Sequence, residues 1–314
     1  MDAFLARAIE LAVRGRGATH PNPVVGAVVV KSDEIVGEGW HEHAGGEHAE
    51  VVALAEAGER ARGATLYVSM EPCAHHGRTP PCVEAVLDAR IARVVAGSLD
   101  PGAESGGGLE RLSAAGVEVE LVDLFEARAQ NEAWRTWIST GRPFVIYKAA
   151  VTLDGRVTVP GGRWVTGEES RRLVHELRAS VDAVAVGMGT VRTDNPRLDV
   201  RGVEATRQPR RLAFGTGPLP AGCDLELRSR PLAKELDLLA GEGVQSLLLE
   251  GGPTLATAFV AAGLVDKVML FVAPILAGSG PSWLGDLPSP VELTTSAVQR
   301  IGDDVLVTAY VNEP

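Results

Sequence analysis

The chain lacks any run of apolar residues approaching the ~18 that a membrane-spanning helix requires, so no transmembrane segment is expected. Its amino terminus, MDAFLARAIELAVRGRG, has charges interspersed along an amphipathic helical pattern. It has neither the uninterrupted apolar stretch nor the small-residue cleavage site of a secretory signal. Cysteine is scarce: three residues, one left over after any pairing, cannot make a disulfide framework. The cytoplasm is therefore the expected compartment, where cysteines more often ligate metals or do chemistry. Positive charge is also short. Thirty Lys and Arg against 41 Asp and Glu leave a net charge of −11, which argues against a nucleic acid held on a broad basic face. It does not exclude a small anionic substrate held by a few local arginines. Internal repeats, low-complexity tracts and a G-x-G-x-x-G fingerprint are absent as well.

What is present is ordinary globular composition, 45% hydrophobic and 23% charged, over 314 residues, enough for two domains. After the opening helix, VVGAVVV (24–30) and EIVGEGW (34–40) read as a hairpin over the polar turn at Lys31 to Asp33. A helix from about Glu47, a strand TLYVSM (65–70) and a helix from about Pro80 follow. ARVVAGS (92–98), a helix through GLERLSAAG and VEVELV (117–122) complete an α/β/α sandwich around a mixed sheet. LFEARAQNEAWRTWISTGRP (124–143) reads as one helix stopped by Gly141, Arg142 and Pro143. The domain boundary is placed there, giving domains 1–141 and 142–314. Trp134 and Trp137 on that helix are expected to lie against the second domain.

The second half is also α/β. FVIYKAAVTL (144–153), DAVAVGMG (182–189), PRRLAFG (209–215), VQSLLLE (244–250) and DKVMLFVAP (266–274) supply buried strands. They alternate with helices near 168–180, 231–240 and 252–263. Apolar runs that end in glycine are what a sheet with loops at its carboxyl edge would show.

Chemistry concentrates first in HAE (His48, Ala49, Glu50), PC (Pro72, Cys73) and Cys82 at a following helix start. One imidazole and two thiolates are three ligands for tetrahedral zinc, leaving a fourth position for water as catalysis needs. Zinc lowers the pKa of that water towards neutrality. Glu50, two residues after His48, can sit beside the metal without ligating it and carry protons. A lone buried His or Cys is usually core. The combination here matches the H-x-E…P-C pattern of zinc nucleobase deaminases.

Between the cysteines lies AHHGRTPP (74–81), where the general pattern has two residues. With this insert, THPNPVVGAVVV (19–30) and HAE, residues 1–141 resemble the deaminase half of the RibD family of bacterial riboflavin-biosynthesis proteins. The resemblance implies a cytidine-deaminase-like fold and deamination of a diaminopyrimidinone bearing a ribosylamino phosphate. It also implies zinc on His48, Cys73 and Cys82, Glu50 as proton carrier, and a substrate pocket lined by Asn22, His41, Arg78 and Asp100. The family commonly reads Asp-Pro-Asn-Pro after its fourth core strand, where this chain has Asp100-Pro101-Gly102-Ala103. A base-edge hydrogen bond expected there must come from backbone, water or elsewhere.

In the second half, KAAVTLDGR (148–156), TVRTDNPRLDVR (190–201) and LLLEGGPTL (247–255) stand out. The last is a strand, then Gly-Gly, then a helix start, whose backbone amides favour phosphate. A tight turn with glycine for packing explains it equally well. In this order and after this deaminase, the three segments resemble the reductase half of RibD, which is similar to dihydrofolate reductase in fold and uses NADPH. The resemblance implies reduction of the substrate's ribosyl group to ribityl. It puts Ala150, Trp164, Thr190, Asp194, Thr216 and the turn Gly252, Pro253, Thr254, Leu255, Ala256, Thr257 and Ala258 on the cofactor. Gly162, Arg178, Leu198, Arg201 and Glu250 fall on substrate, with the arginines facing its phosphate. A hydride acceptor also needs a polarised imine or carbonyl, for which Lys148 and Asp154 are the nearest polar groups. Residues 156–164 and 217–243 are short for the family, and Gly215-Thr216 replaces its usual Asp-Ser, which bears on NADPH against NADH. Cys223 receives no role.

Two rivals remain at this point. A deaminase of free nucleosides or of a base in RNA would share the zinc residues, but the net charge is awkward for an RNA binder. A zinc-stabilised binding protein without turnover would not need an open metal position beside Glu50. The expected partner is a small phosphorylated pyrimidine, with no nucleic acid and no membrane; a homo-oligomer is compatible with the sequence.

Overall fold

The computed structural model describes residues 2–77 and 79–314, and the chain divides into two compact units, Met1–Thr140 and Gly141–Glu313.

The first unit begins with α1 (Ala3–Ala12), whose N-terminus is capped by Asp2: one carboxylate oxygen accepts from the amides of Phe4 and Leu5 at 2.8 and 3.3 Å. β1 (Gly26–Lys31) and β2 (Glu34–Trp40) form the expected hairpin, with Lys31 opposite Glu34. Ser32 and Asp33 both have positive φ, the backbone that a two-residue hairpin turn demands. α2 (Ala49–Ala57), β3 (Thr65–Val68), α3 (Cys82–Asp88), β4 (Arg93–Ala96), α4 (Gly108–Ala114) and β5 (Glu118–Leu121) follow. The sheet runs β2-β1-β3-β4-β5, antiparallel as far as β3 and parallel from β3 to β5.

Alternation along these strands builds two cores. Ala27, Val29, Leu66, Val68, Val94 and Ala96 face Ala49 and Ala53 of α2, Val83 and Val86 of α3, and Leu112 of α4. The intervening Val28 and Val95 face the other way, onto α1. Each fully buried Val or Leu contributes about 1.5–3 kcal/mol. The segment after β5 is two helices, α5 (Phe125–Ala129) and α6 (Glu132–Thr140), rather than one. Buried Asn131 separates them. Its amide accepts from Val24 N and donates to Val24 O, both at 2.8 Å, a pairing that holds the residue against the β1 approach.

The second unit contains β6 (Phe144–Thr152), α7 (Glu168–Ser180), β7 (Ala183–Gly187), α8 (Met188–Asp194), β8 (Arg210–Phe214) and β9 (Glu226–Arg228). It continues with α9 (Leu232–Gly241), β10 (Ser246–Leu249), α10 (Pro253–Ala261), β11 (Lys267–Ala273), β12 (Thr294–Ile301) and β13 (Asp304–Tyr310). Its eight-stranded sheet runs β12-β13-β11-β6-β10-β7-β8-β9, parallel from β11 to β9, with β13 and β12 added antiparallel. The start of the unit is fixed by Arg142, whose guanidinium grips the buried Asp266 carboxylate through two bonds of 2.6 Å. α8, β9 and the β12–β13 hairpin were not expected. β12 is exposed along most of its length, and β9 is only three residues long, so neither presents the apolar run by which the other strands are legible. Among the described residues, no helix is long and apolar enough to cross a membrane.

Candidate active sites

In the first unit, α2 and α3 start at the same place. His48 is the N-cap of α2, and Cys82 is the first residue of α3, with Cys73 in the segment after β3. His48 Nδ1 is 3.0 Å from Cys82 Sγ and 3.5 Å from Cys73 Sγ, and the two sulfurs are 3.5 Å apart. Zinc with bonds of about 2.0–2.3 Å sets tetrahedral ligands roughly 3.5 Å apart, so this donor set fits the ion. Hydrogen bonding to Cys82 pulls the Cys73 thiol down to about 4 against the opposing effect of burial, and His48 adds to the pull. The other ring nitrogen of His48 meets the Thr79 hydroxyl at 3.2 Å, which fixes the ring's orientation. Thr79 went unremarked in the sequence.

Glu50, only 3% exposed, sits in the first turn of α2. Burial pushes its carboxyl up to about 7, with the His48 ring opposing the rise. A group poised near neutrality both takes and gives protons. Glu50, His48 and Cys73 line a cavity of about 550 Å³ together with Asn22, His41 and Asp100. His41 Nδ1 lies 2.9 Å from the Glu47 carbonyl, which can only accept, so Nδ1 carries the proton. The neutral ring then accepts at Nε2 from Asn22 Nδ2, 3.3 Å away. Burial lowers the His41 pKa, in keeping with that neutral form. Burial also raises the Asp100 carboxyl, with the Gly102 amide opposing. Arg78 lies outside the described residues. Trp134 and Trp137, expected against the second domain, line this cavity with Ile138. Three residues apart on α6, they share one face of the helix.

Glu71 is a second residue that sequence reading passed over. Its buried carboxylate accepts from Asp100 N at 3.2 Å and from Leu109 N at 2.9 Å, closing the loop that carries Asp100 at both ends. Gly108 is required beside it, because a Cβ there would stand 1.8 Å from the Pro72 carbonyl oxygen.

In the second unit, β7, β8 and β10 run parallel and release their chains at one edge. α8 starts there after Gly187 and α10 after Gly252, neither with a side-chain cap. The two starts converge: a Cβ on Gly252 would lie 3.6 Å from Thr190 Oγ1, and one on Gly187 would lie 3.4 Å from Leu255 Cβ. Two uncapped helix N-termini beside bare glycine backbone fit a pyrophosphate, as NADPH carries. Thr216 is tied to the same edge by its carbonyl, which accepts from Arg192 at 2.8 Å. Thr190, Thr216 and the 252–258 turn are therefore brought together. Asp194 is exposed at the end of α8, and Ala150 lies near the carboxyl end of β6. Trp164 is 55% exposed, with the guanidinium groups of Arg163 and Arg171 5.1 and 5.4 Å from its ring. Gly162 is exposed in the same loop, and Leu198 is buried at positive φ.

A second group gathers at Glu250. Arg178 donates to both its oxygens at 2.6 and 3.0 Å and to the Asp199 carbonyl at 3.1 Å, and Lys148 Nζ is 3.8 Å away. Burial pushes the Glu250 carboxyl up, but Lys148 and Arg178 outweigh it and hold it below its ordinary value. Burial lowers the Lys148 ammonium. Arg201 pairs with Asp199 at 2.6 Å. The two arginines expected to face a phosphate are thus both engaged with carboxylates. Asp154, the other polar group named for the reductase, has partners of its own. Its carboxylate accepts from the Thr152 hydroxyl (2.6 Å) and from the amides of Ala277 (3.0 Å) and Gly278 (2.7 Å), and these bonds hold it down at about 2. It organises a turn.

Comparison with known proteins gives these sites a context. Residues 1–98 match the cytidine and deoxycytidylate deaminase zinc-binding region, and residues 143–307 match the RibD C-terminal domain. The riboflavin biosynthesis protein RibD of Aquifex aeolicus is 40% identical, over 97% of this chain and 96% of that protein. Its Escherichia coli counterpart is 38% identical, over 97% of each. The solved structure of Acinetobacter baumannii RibD superposes with a TM-score of 0.86 at 35% identity, covering 98% of this chain and 97% of that one. A Thermotoga maritima diaminohydroxyphosphoribosylaminopyrimidine deaminase/5-amino-6-(5-phosphoribosylamino)uracil reductase gives 0.84 at 34%, with the same coverage.

Proposed function

The chain belongs to the RibD family of riboflavin-biosynthesis enzymes, and on that premise we infer how its residues divide the work. It is a bifunctional enzyme, a zinc-dependent deaminase and an NADPH-dependent reductase, acting on a small-molecule substrate. The reactions are deamination of a diaminopyrimidinone ribosylamino phosphate and reduction of its ribosyl group to ribityl.

Deamination belongs to the first unit. The observation that carries this assignment is a buried carboxyl near pKa 7 beside a complete zinc donor set. Zinc on His48, Cys73 and Cys82 supplies Lewis-acid activation of a water. With the ion bound, Glu50 would take both protons of the attacking water in turn, handing the first to the ring nitrogen and the second to the departing amine, so that ammonia leaves as a carbonyl forms. His41 and Asn22 offer fixed polar groups to the pyrimidine. Asp100 approaches it from the opposite loop, and Arg78 is assigned to the same substrate.

Reduction belongs to the second unit. NADPH supplies the hydride, its phosphates assigned to the α8 and α10 starts and its remaining contacts to Ala150, Trp164, Asp194 and Thr216. Lys148, a buried ammonium held by Glu250, polarises the imine or carbonyl that accepts the hydride. Arg201, half exposed, is the arginine we assign to the substrate phosphate, with Gly162, Leu198 and Arg178 around it. The cytoplasm is the compartment this reading implies, supported by three free cysteines. It needs no nucleic-acid or membrane partner and is compatible with a homo-oligomer. The test is incubation with the diaminopyrimidinone phosphate and NADPH, following ammonia and cofactor absorbance together. Ammonia release that a chelator abolishes, followed by cofactor oxidation, is the expected result. Oxidation without ammonia release would refute the order of steps.

A further inference from the structure

The loop between β4 and α4 reads Asp100-Pro101-Gly102-Ala103-Glu104-Ser105-Gly106, and Asp100, Gly102 and Ser105 all line the deaminase cavity. The loop is held firmly. Glu71 closes its ends, Gly106 N donates to Gly102 O at 2.9 Å, and Ala74 N donates to Ser105 O at 3.0 Å. The last bond ties position 105 to the residue directly after Cys73. Gly102 gives the cavity backbone only, and its amide is already taken by Asp100 Oδ1 at 2.8 Å.

The space that a side chain at 102 would use is filled from elsewhere. A Cβ on Gly102 would stand 2.2 Å from Ser105 Oγ, an impossible approach, but 3.6 Å from Ser105 Cβ, an ordinary contact. The main conflict is therefore with the hydroxyl; Asp100 Oδ1, 3.0 Å from the same Cβ, would have to give by only a few tenths of an ångström. The hydroxyl lies beside that carboxylate. A carboxylate only accepts, so the serine proton is drawn towards it and the lone pairs are left for a donor. An oxygen held in this way accepts from a ring N–H or an exocyclic amine.

We propose that Ser105 is a specificity-determining, substrate-binding residue of the deaminase, whose hydroxyl accepts from the polar edge of the pyrimidine in the place that position 102 leaves without a side chain. The proposal rests on the deaminase reading above and names a contact within it.

The test is a double-mutant cycle on the full-length zinc enzyme: Ser105→Ala, Gly102→Asn and the pair combined. Deamination kinetics, zinc content and thermal melting are recorded for each. Loss of one hydrogen bond to substrate in Ser105→Ala is expected to raise KM about five- to ten-fold, with kcat, zinc and melting little changed. Gly102→Asn alone, whose Cβ meets the hydroxyl, is expected to fall further. The combined variant, with the hydroxyl gone and room for an amide, is expected to recover to within a few-fold of wild type. Ser105→Ala at wild-type KM, or a combined variant no better than Gly102→Asn, overturns the proposal while the deaminase reading stands. Zinc-loaded wild type that releases no ammonia overturns that reading, and the proposal with it.

Discussion

Around His48 the first unit gathers two thiols and a carboxyl with no lysine or arginine paired to them among the described residues, whereas around Glu250 the second unit has two cations already paired to the acid. The first arrangement is completed by a metal and a substrate. The second is largely compensated before either ligand arrives. Substitutions in the first cluster should therefore act mainly on chemistry, because apart from the Cys82 amide on Cys73 Sγ and the Thr79 hydroxyl on His48 those side chains bond chiefly to one another. In the second cluster one residue serves both stability and binding, and the two effects should appear together.

The sharpest way to break this contrast is Cys73→Ser. Two donors hold zinc far less well than three, so metal and deamination should both fall below detection. Reduction of a substrate already deaminated should continue at the wild-type rate. Metal analysis and paired assays check it, and a parallel loss of reduction would mean the units are not independent. Glu50→Gln should come next, keeping zinc but losing about 100- to 10,000-fold in deaminase kcat. Near-normal turnover would remove Glu50 from the mechanism.

In the second unit the expected effects shift from rate to stability. Arg178→Leu removes the bidentate partner of a buried carboxylate, a change that typically costs about 3–5 kcal/mol. It should appear in chemical unfolding of the reductase unit. The same cluster sets an acid limit. Because the folded Glu250 carboxyl lies below its ordinary value, its contribution is full at neutral pH and is lost as pH falls below about 4.3. Melting curves recorded from neutral pH downward should show that loss in wild type and little of it in Glu250→Gln. Arg201→Ala should do less. Its side chain is 51% exposed and paired with Asp199, so stability should hardly move. KM for the phosphorylated substrate should rise about ten-fold, with cofactor affinity unchanged. An equal rise with a dephosphorylated substrate would give the arginine another task.

The same contrast decided what could be read before the fold was known. His48 and Glu50 are two residues apart, and both cysteines lie within one short segment, so the zinc site is nearly a local word. Its tuning is not. Glu71 acts on Asp100 and Leu109 across long loops, Thr79 acts on His48, and Ser105 acts on a neighbour defined by what Gly102 lacks. The reductase motifs are legible as segments, but their meaning depends on which loops share one sheet edge. Strand order sets that, and hydrophobic periodicity does not. Asp154 illustrates the limit: it sits in a conspicuous TLDG stretch, yet its carboxylate is consumed by backbone amides far along the chain. β12 escaped for a simpler reason, since an exposed edge strand has no apolar face to betray it.

The smallest expected effect is also the most demanding of the comparison: separating the units should change neither activity much. Each unit has its own sheet and core. The cut must fall after Thr140, because Trp134, Trp137 and Ile138 of α6 line the deaminase cavity, and Asn131 is bonded into the unit through Val24. It must fall before Arg142, whose guanidinium holds Asp266 at the start of the reductase unit. Gly141, with φ of 70°, lies between these limits, at a backbone geometry that glycine adopts freely. A fragment of residues 1–140 should bind zinc and release ammonia, and a fragment from 141 onward should oxidise NADPH on deaminated substrate, each within a few-fold of the intact chain. The measurement is the two assays run on each fragment alone and on the mixture. Folded fragments that are inactive apart and active together would show that the sites need one another, and the contrast drawn here between two self-sufficient units would fail.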